Sequence, residues 1–400
     1  MNVLLVSAVF YPEPIVIGTL SRDLALMLSK NHKVTVVCPH PSRPYGYVFD
    51  KTTLSDMTYN KIILNSYVCP KTNYIGRLRE SYSFGKAVDR FIAENYANFD
   101  VVYSWSWPLY SQLMIAKAAN RYKLPLVTHV QDLYPEPFRR RIPFFGKILY
   151  KIFFHVDKRS LQLSDKVVTI APKIRNYLVE TRGLKSSKVD VVYNWQDENR
   201  FTCINAKKLK DRKVKDFVFM FLGTLSGAAN LEYIAKCFLK ANVANAQLIF
   251  AGSGSAKANL ELIATRDSLS RISFIDAPFD EVAKLQAQAD ILIISLNRNG
   301  AKHAFPSKLP AYMFSSKPII GSVDIDSDIA SVIRESNCGW LVEPDKENDL
   351  IALFEKAVSI DSDVLECKGK LGYDYCMQKL SKGVNLKKLC QIIESVAYGE

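Results

Sequence analysis

The sequence predicts an α/β protein of two Rossmann-like, doubly wound domains facing a central cleft. Three observations lead there. A length of 400 residues is too great for one ordinary domain and suits two of about 200. Short apolar strand patterns alternate with helical patterns in two successive series, the mark of a mainly parallel sheet covered by helices. Between the series lies NWQDENRFTCINAKKLKDRK (194–213), polar and charged enough to read as a linker.

The first series opens with NVLLVSAVF, an apolar run of strand length. A loop holding Pro12, Pro14 and Gly18 follows, then a helix with Leu20, Leu24 and Leu28 on one face. HKVTVVCP is the second strand, residues 40–60 read as irregular loop, and KIILNSYV is the third strand. A long helix pattern covers roughly 77–95, and DVVYSWS, PLVTHVQD, DKVVTI and VDVVYN supply four more strands. The second series has six strands: FVFMFLG, AQLIFAG, ISFIDA, ADILIIS, PIIGSV and GWLVEP. Helices are expected at about 230–241, at 309–314 and, last, at about 377–397.

Composition narrows the class. Apolar content of 48% lets both halves build cores, and no apolar run reaches the roughly 20 residues of a membrane span. The start reads as a first strand, without the basic region of a signal peptide. Eight scattered cysteines with no C-x-x-C pair argue for reduced thiols in a cytosolic protein, against a zinc site or disulfide framework.

Charge is unevenly divided. Residues 1–200 hold 28 Lys+Arg against 16 Asp+Glu, and residues 201–400 hold 25 against 24, so the N-terminal half carries +12 of the net +13. That excess suits an anionic partner facing the first domain. The segment 137–160 combines Arg139, Arg140, Arg141, Lys147 and Lys151 with Phe144, Phe145 and further apolar residues. A basic segment with exposed aromatics suits an anionic membrane interface. No nucleic-acid recognition motif accompanies it.

The most informative stretch is 297–345. After the strand ILIISL, a polar loop leads through PSK (Pro306–Lys308) into a short helix, and KPIIGS forms the next strand. Loop, helix start and lysine therefore meet at the carboxyl end of a strand, where open α/β sheets bind ligands. The order of these pieces resembles the donor-sugar-nucleotide site of the family 4 glycosyltransferases, two-domain enzymes of the GT-B fold. The likeness runs along essentially the whole chain. FYPEPIVIGTL resembles the family's diphosphate loop, with Gly18 kept and Ile17 in place of a first glycine. FLGTLSGAAN (Gly223, Thr224) resembles a second such loop, whose usual lysine is Asn230 or a neighbour, and FAGSG (Gly252, Gly254) matches a third turn. In VTHVQDLYPE, Gln131 stands where the family often has histidine, and Asp132 keeps the following aspartate. That wording, like PSK, is closest to aminosugar transferases of surface-polysaccharide synthesis. VVYNWQDENRF resembles the hinge segment, with Trp195 replacing a glycine in a structural role. The family's paired glutamates fall at His303 and Ala311, neither acidic, so ribose recognition must differ here.

The resemblance implies a transferase that moves a sugar from a nucleotide sugar, UDP-linked, with retention of configuration and with no metal, cofactor or covalent intermediate. Asp132 would be the catalytic carboxylate, with Glu136 a weaker alternative. Gly18, Gly223, Thr224, Gly252, Gly254, His303, Ser307 and Lys308 would hold the donor, and Lys308 with backbone amides would stabilise the leaving diphosphate. The implied domains are 1–195, completed by a returning helix at about 377–400, and 196–376. The basic N-terminal face implies a polyprenyl-diphosphate-linked saccharide of capsule or O-antigen assembly as acceptor, and a cytoplasmic protein peripheral on the inner membrane face. A relative that only binds a nucleotide sugar, or scaffolds an assembly complex, is the alternative. A two-domain NAD oxidoreductase lacks its glycine fingerprint here.

Overall fold

The structure, a computed structural model, describes residues 1–44, 46–47, 49, 58–69, 73–105, 109–136, 146–202, 216–278, 280–300 and 305–399. The chain divides into two compact units, Met1–Tyr193 with Asn385–Glu400, and Asn194–Val384.

In the first unit the elements run β1 (Asn2–Val6), α1 (Val16–Leu28), β2 (Lys33–Cys38), β3 (Asn60–Ile63), α2 (Tyr74–Asn95), β4 (Val101–Trp105) and α3 (Leu109–Arg121). They continue through β5 (Leu126–Val130), α4 (Gly146–Leu163), β6 (Lys166–Thr169), α5 (Pro172–Arg182) and β7 (Val189–Val191). The seven-stranded sheet has the order β3-β2-β1-β4-β5-β6-β7, parallel at every pairing. Val3, Leu4, Leu5 and Val6 are all fully buried, which is why this strand reads as a continuous apolar run: helices cover both faces. On one face Leu4, Val102 and Leu126 pack with Val88 and Ile92 of α2 and Ile115 of α3.

The second unit runs β8 (Phe217–Leu222), α6 (Leu231–Lys240), β9 (Ala246–Ala251), α7 (Lys257–Ala264), β10 (Ile272–Ile275), α8 (Val282–Ala287) and β11 (Ile291–Ser295). Then come α9 (Lys308–Phe314), β12 (Ile319–Ser322), α10 (Asp328–Ser336), β13 (Gly339–Val342), α11 (Glu347–Ala357) and α12 (Ser362–Lys379). Its six-stranded parallel sheet has the order β10-β9-β8-β11-β12-β13. Phe219, Phe238 and Phe354 pack edge to face beneath it, with centroids 4.9–6.0 Å apart.

Both series of strands are present, with most ends drawn in by one to three residues. The third strand stops at Ile63, five residues short of the pattern that suggested it; β3 is an edge strand paired with β2 alone. The first long helix starts at Tyr74, because the Asn73 side chain accepts from Gly76 N at 2.6 Å and caps it. The last helix needs a larger correction. Residues 377–379 close α12, and α13 (Lys382–Tyr398) starts afresh. Leu380 turns fully inward while its N–H still bonds Cys376 O, and Glu198 accepts from Lys382 N at 3.2 Å to open the new helix.

In each sheet the winding reverses between two neighbours: β1 and β4 in one, β8 and β11 in the other. Loops leaving the carboxyl ends of these pairs diverge, and ligands of doubly wound sheets bind in the resulting crevices.

Candidate functional site

The second unit's switch point gathers the predicted donor residues. Gly223 follows β8 at φ +127° and Gly252 follows β9 at φ +132°, backbone states that side chains disfavour. An added Cβ on Gly252 would overlap the Gly223 carbonyl oxygen, and one on Gly223 would run into the Lys308 side chain. Gly254 likewise lies against the Leu225 carbonyl. Thr224 is exposed in the loop after β8.

Lys308 begins α9, and one turn later Tyr312 fixes that helix to the sheet. The buried Tyr312 hydroxyl accepts from Leu222 N at 2.9 Å and donates to Leu222 O at 3.1 Å. This places Lys308 Nζ 3.9 Å from the centroid of the Phe221 ring. Burial pushes the ammonium down to about 8. Among the described residues Lys308 forms neither a hydrogen bond nor an ion pair. A desolvated cation without a counter-ion, laid over a switch-point glycine, is suited to an anion. Ser307 precedes the helix, and its side chain makes no capping hydrogen bond there.

Two groups the sequence did not single out complete this corner. Phe221 supplies the face under Lys308. Asn297, just past β11, binds the loop that follows Gly223: its N–H reaches Ala228 O at 3.0 Å and its amide reaches Gly227 O at 2.7 Å. Ala311 is buried within α9, where the resemblance places a glutamate.

The first unit's switch point is built differently. The loop after β1 folds around its own Glu13, which is 4% exposed. Glu13 accepts from Phe10 N at 3.2 Å and from Ser42 N and Arg43 N, each at 2.8 Å. Burial raises its carboxyl while these amides and Arg43 oppose the rise, and the net direction is up. Gly18 is explained within the same loop, since a Cβ there would sit 2.6 Å from the Glu13 carbonyl oxygen.

Asp132 stands two residues past β5. It is exposed, makes no hydrogen bond or ion pair among the described residues, and so caps nothing. The protein on its inner side desolvates the carboxyl and raises it above its ordinary value. Glu136 is engaged instead: Arg182, completely buried, contacts it at 2.7 Å, and Tyr177 donates to it at 3.0 Å. Arg182 also binds Asp157 of α4 at 2.8 Å and donates to Tyr134 O at 3.2 Å. Glu136 is thus an anchor for the loop that carries Asp132. Trp195 is buried, as its structural role requires.

Of the basic–aromatic segment, Lys147 is exposed on α4, next to Ile148 (58% exposed), Lys151 and Ile152 (50%). Arg139, Arg140, Arg141, Phe144, Phe145 and His303 lie outside the described residues, as does the linker from 203 to 213.

Residues 17–200 match the family model described as Glycosyltransferase Family 4, and residues 216–359 match the one described as Glycosyl transferases group 1. A probable glycosyltransferase of Pseudomonas aeruginosa, WbjE, is 22% identical over 306 residues, covering 74% of each chain. Anabaena Alr3699/HepE, solved with UDP, superposes with a TM-score of 0.72 at 15% identity, over 99% of this chain and 100% of its own. Sucrose-phosphate synthase from Thermosynechococcus elongatus gives 0.77 at 12% over the whole of both chains. WaaG, a glycosyltransferase involved in lipopolysaccharide biosynthesis, gives 0.69 at 14%, over 98% of this chain and 99% of its own. At these identities the structural likeness is one of fold.

Proposed function

Because the chain belongs to the family 4 glycosyltransferases of the GT-B fold, we propose that its donor is a UDP-sugar and its acceptor a membrane-bound, polyprenyl-diphosphate-linked saccharide of surface-polysaccharide synthesis. Sugar transfer from a nucleotide-sugar donor follows from the family; the base, acceptor and stereochemistry are our reading. One observation carries it: Lys308, desolvated and unpaired among the described residues, lies over Gly223 at the switch point of the second sheet. A diphosphate there would restore the lysine's full charge, and the charge that develops on the leaving group would meet a cation already in place. The UDP complex of Alr3699/HepE favours uracil as the base.

Asp132 is the carboxylate we assign to the acceptor hydroxyl or to sugar orientation, because Glu136 is held by Arg182. Transfer with retention is the family's habit and the outcome we expect. The exposed Lys147, Ile148, Lys151 and Ile152 stripe on α4 favours contact with anionic lipid at the inner membrane face. WaaG's role in lipopolysaccharide biosynthesis is consistent with a surface glycan as product.

The test is a panel of UDP-sugars incubated with undecaprenyl-diphosphate-linked saccharides in anionic vesicles, read by UDP release and product mass. Release that depends on acceptor supports the proposal. UDP binding without release from any UDP-sugar would favour the scaffold reading, for which the buried Ala311 is the motive.

A further inference from the structure

The outer face of α2 carries a second stripe of cations and apolar side chains. Ile75, Arg79, Tyr82, Lys86 and Arg90 follow at intervals of three or four residues, so they share one side of the helix. All five are exposed, Ile75 by 82% and Tyr82 by 52%. The inner side is held by the fold. Phe84, Val88 and Ile92 pack with Leu4 and Val102 of the sheet, and Ser81 Oγ accepts from Ser111 N of α3 at 3.0 Å.

The carboxylates of α2 do not neutralise this stripe. Glu80 is buried and bound by Arg43 at 2.8 Å and Arg77 at 2.7 Å. Asp89 is paired with Arg121 of α3 at 3.3 Å, and Glu94 lies one turn beyond Arg90. The Arg79 guanidinium rests over the Tyr67 ring, 4.3 Å from its centroid, and so stays at the surface. Lys86 and Arg90 form no ion pair among the described residues.

The stripe borders the one on α4. Leu78, one turn from both Ile75 and Tyr82, and Leu149, next to Ile148, pack against the same two residues, Leu109 of α3 and Phe153 of α4. The first turns of α2 and α4 therefore meet over the start of α3, and their exposed sides flank one cluster. These helices follow β3, β4 and β5, so their starts lie toward the carboxyl ends of the strands, where the crevice opens.

We propose that α2 is a second lipid-docking element: Ile75 and Tyr82 enter the interface of an anionic membrane while Arg79, Lys86 and Arg90 lie against its headgroups. One helix on a bilayer leaves the protein free to roll about the helix axis. Two neighbouring helices fix which end of the sheet faces the lipid. The proposal rests on the membrane reading above and extends it from α4 to a surface of two helices.

The test is co-sedimentation of the full chain with vesicles of phosphatidylglycerol and phosphatidylcholine, and of phosphatidylcholine alone. Lys86→Glu with Arg90→Glu is expected to lower partition onto the anionic vesicles by about tenfold or more. Ile75→Ser with Tyr82→Ser is expected to lower it by about tenfold. All four side chains are exposed, so each pair should keep the wild-type melting temperature. A second measurement does not depend on these variants: Ile75→Trp should add emission that brominated acyl chains quench beyond the wild-type level. Undiminished partition in both pairs, or no added quenching, overturns the role of α2, and the α4 variants then decide the membrane reading separately. A wild type that ignores anionic vesicles overturns both. Binding to heparin without binding to vesicles assigns the stripe to a soluble polyanion and overturns the lipid assignment.

Discussion

The two sheets reverse their winding in the same way, yet their switch-point corners are filled by opposite charges. In the second unit, glycines bring the loops after β8 and β9 into backbone contact, and Lys308 lies over Gly223 with no counter-ion among the described residues. In the first, Glu13 occupies the loop and takes three backbone N–H groups for itself. Backbone amides near a helix start are an anion site only while nothing inside the protein uses them. This contrast is why we propose the second unit as the site of the nucleotide's diphosphate. Within the first unit, Asp132 and Glu136 repeat the contrast: four residues apart, one carboxylate is unengaged among the described residues and the other is clamped by Arg182.

Breaking the engaged charges should cost stability, and breaking the unengaged ones should cost function. Arg182→Met leaves the buried Asp157 and the half-buried Glu136 without their cation and should lower unfolding free energy by about 3–5 kcal/mol in urea titrations. Asp132→Asn should change it by about 0.5 kcal/mol or less while lowering kcat for transfer by about a hundredfold or more. If Asp132→Asn were the more destabilising of the two, the contrast would collapse.

The next largest effect is expected at Glu13. Glu13→Ala strands three backbone donors and should cost about 2–3 kcal/mol in the same assay, with UDP affinity unchanged in calorimetry. A large loss of UDP affinity in that folded variant would place the diphosphate in the first unit after all. Lys147→Glu with Lys151→Glu should have the smallest effect on stability, within about 0.5 kcal/mol, because both side chains are exposed. Their contribution is to phosphatidylserine vesicles, at about 1 kcal/mol for each lysine, so co-sedimentation should fall by about tenfold or more. Undiminished sedimentation would remove α4 from the membrane contact.

Much of this was legible in the sequence, for identifiable reasons. Strands buried on both faces must be apolar throughout, so the runs around Leu4, Phe219 and Ile293 announced both sheets. Lys308 was legible because PSK sits where a strand, a loop and a helix must meet. The partners that set its chemistry were not: Phe221 belongs to an ordinary apolar strand, and Tyr312 reads as one more core residue of a short helix. Glu13 was missed because its partners Ser42 and Arg43 are some thirty residues away in sequence. The end of α12 was missed because Leu380 fits an apolar helical stripe and only tertiary burial turns it inward.

The placement of the diphosphate on Lys308 is tested most directly by calorimetry of UDP against pH, on wild type and Lys308→Met. The free lysine titrates at about 8 and a bound diphosphate raises that value. Binding above this pH must therefore take up a proton, and affinity should fall as pH rises from about 8 toward 10. At neutral pH the variant should bind UDP about thirtyfold more weakly, and above pH 8 its affinity should be flat. Equal affinities with the same pH curve in both proteins would contradict the assignment.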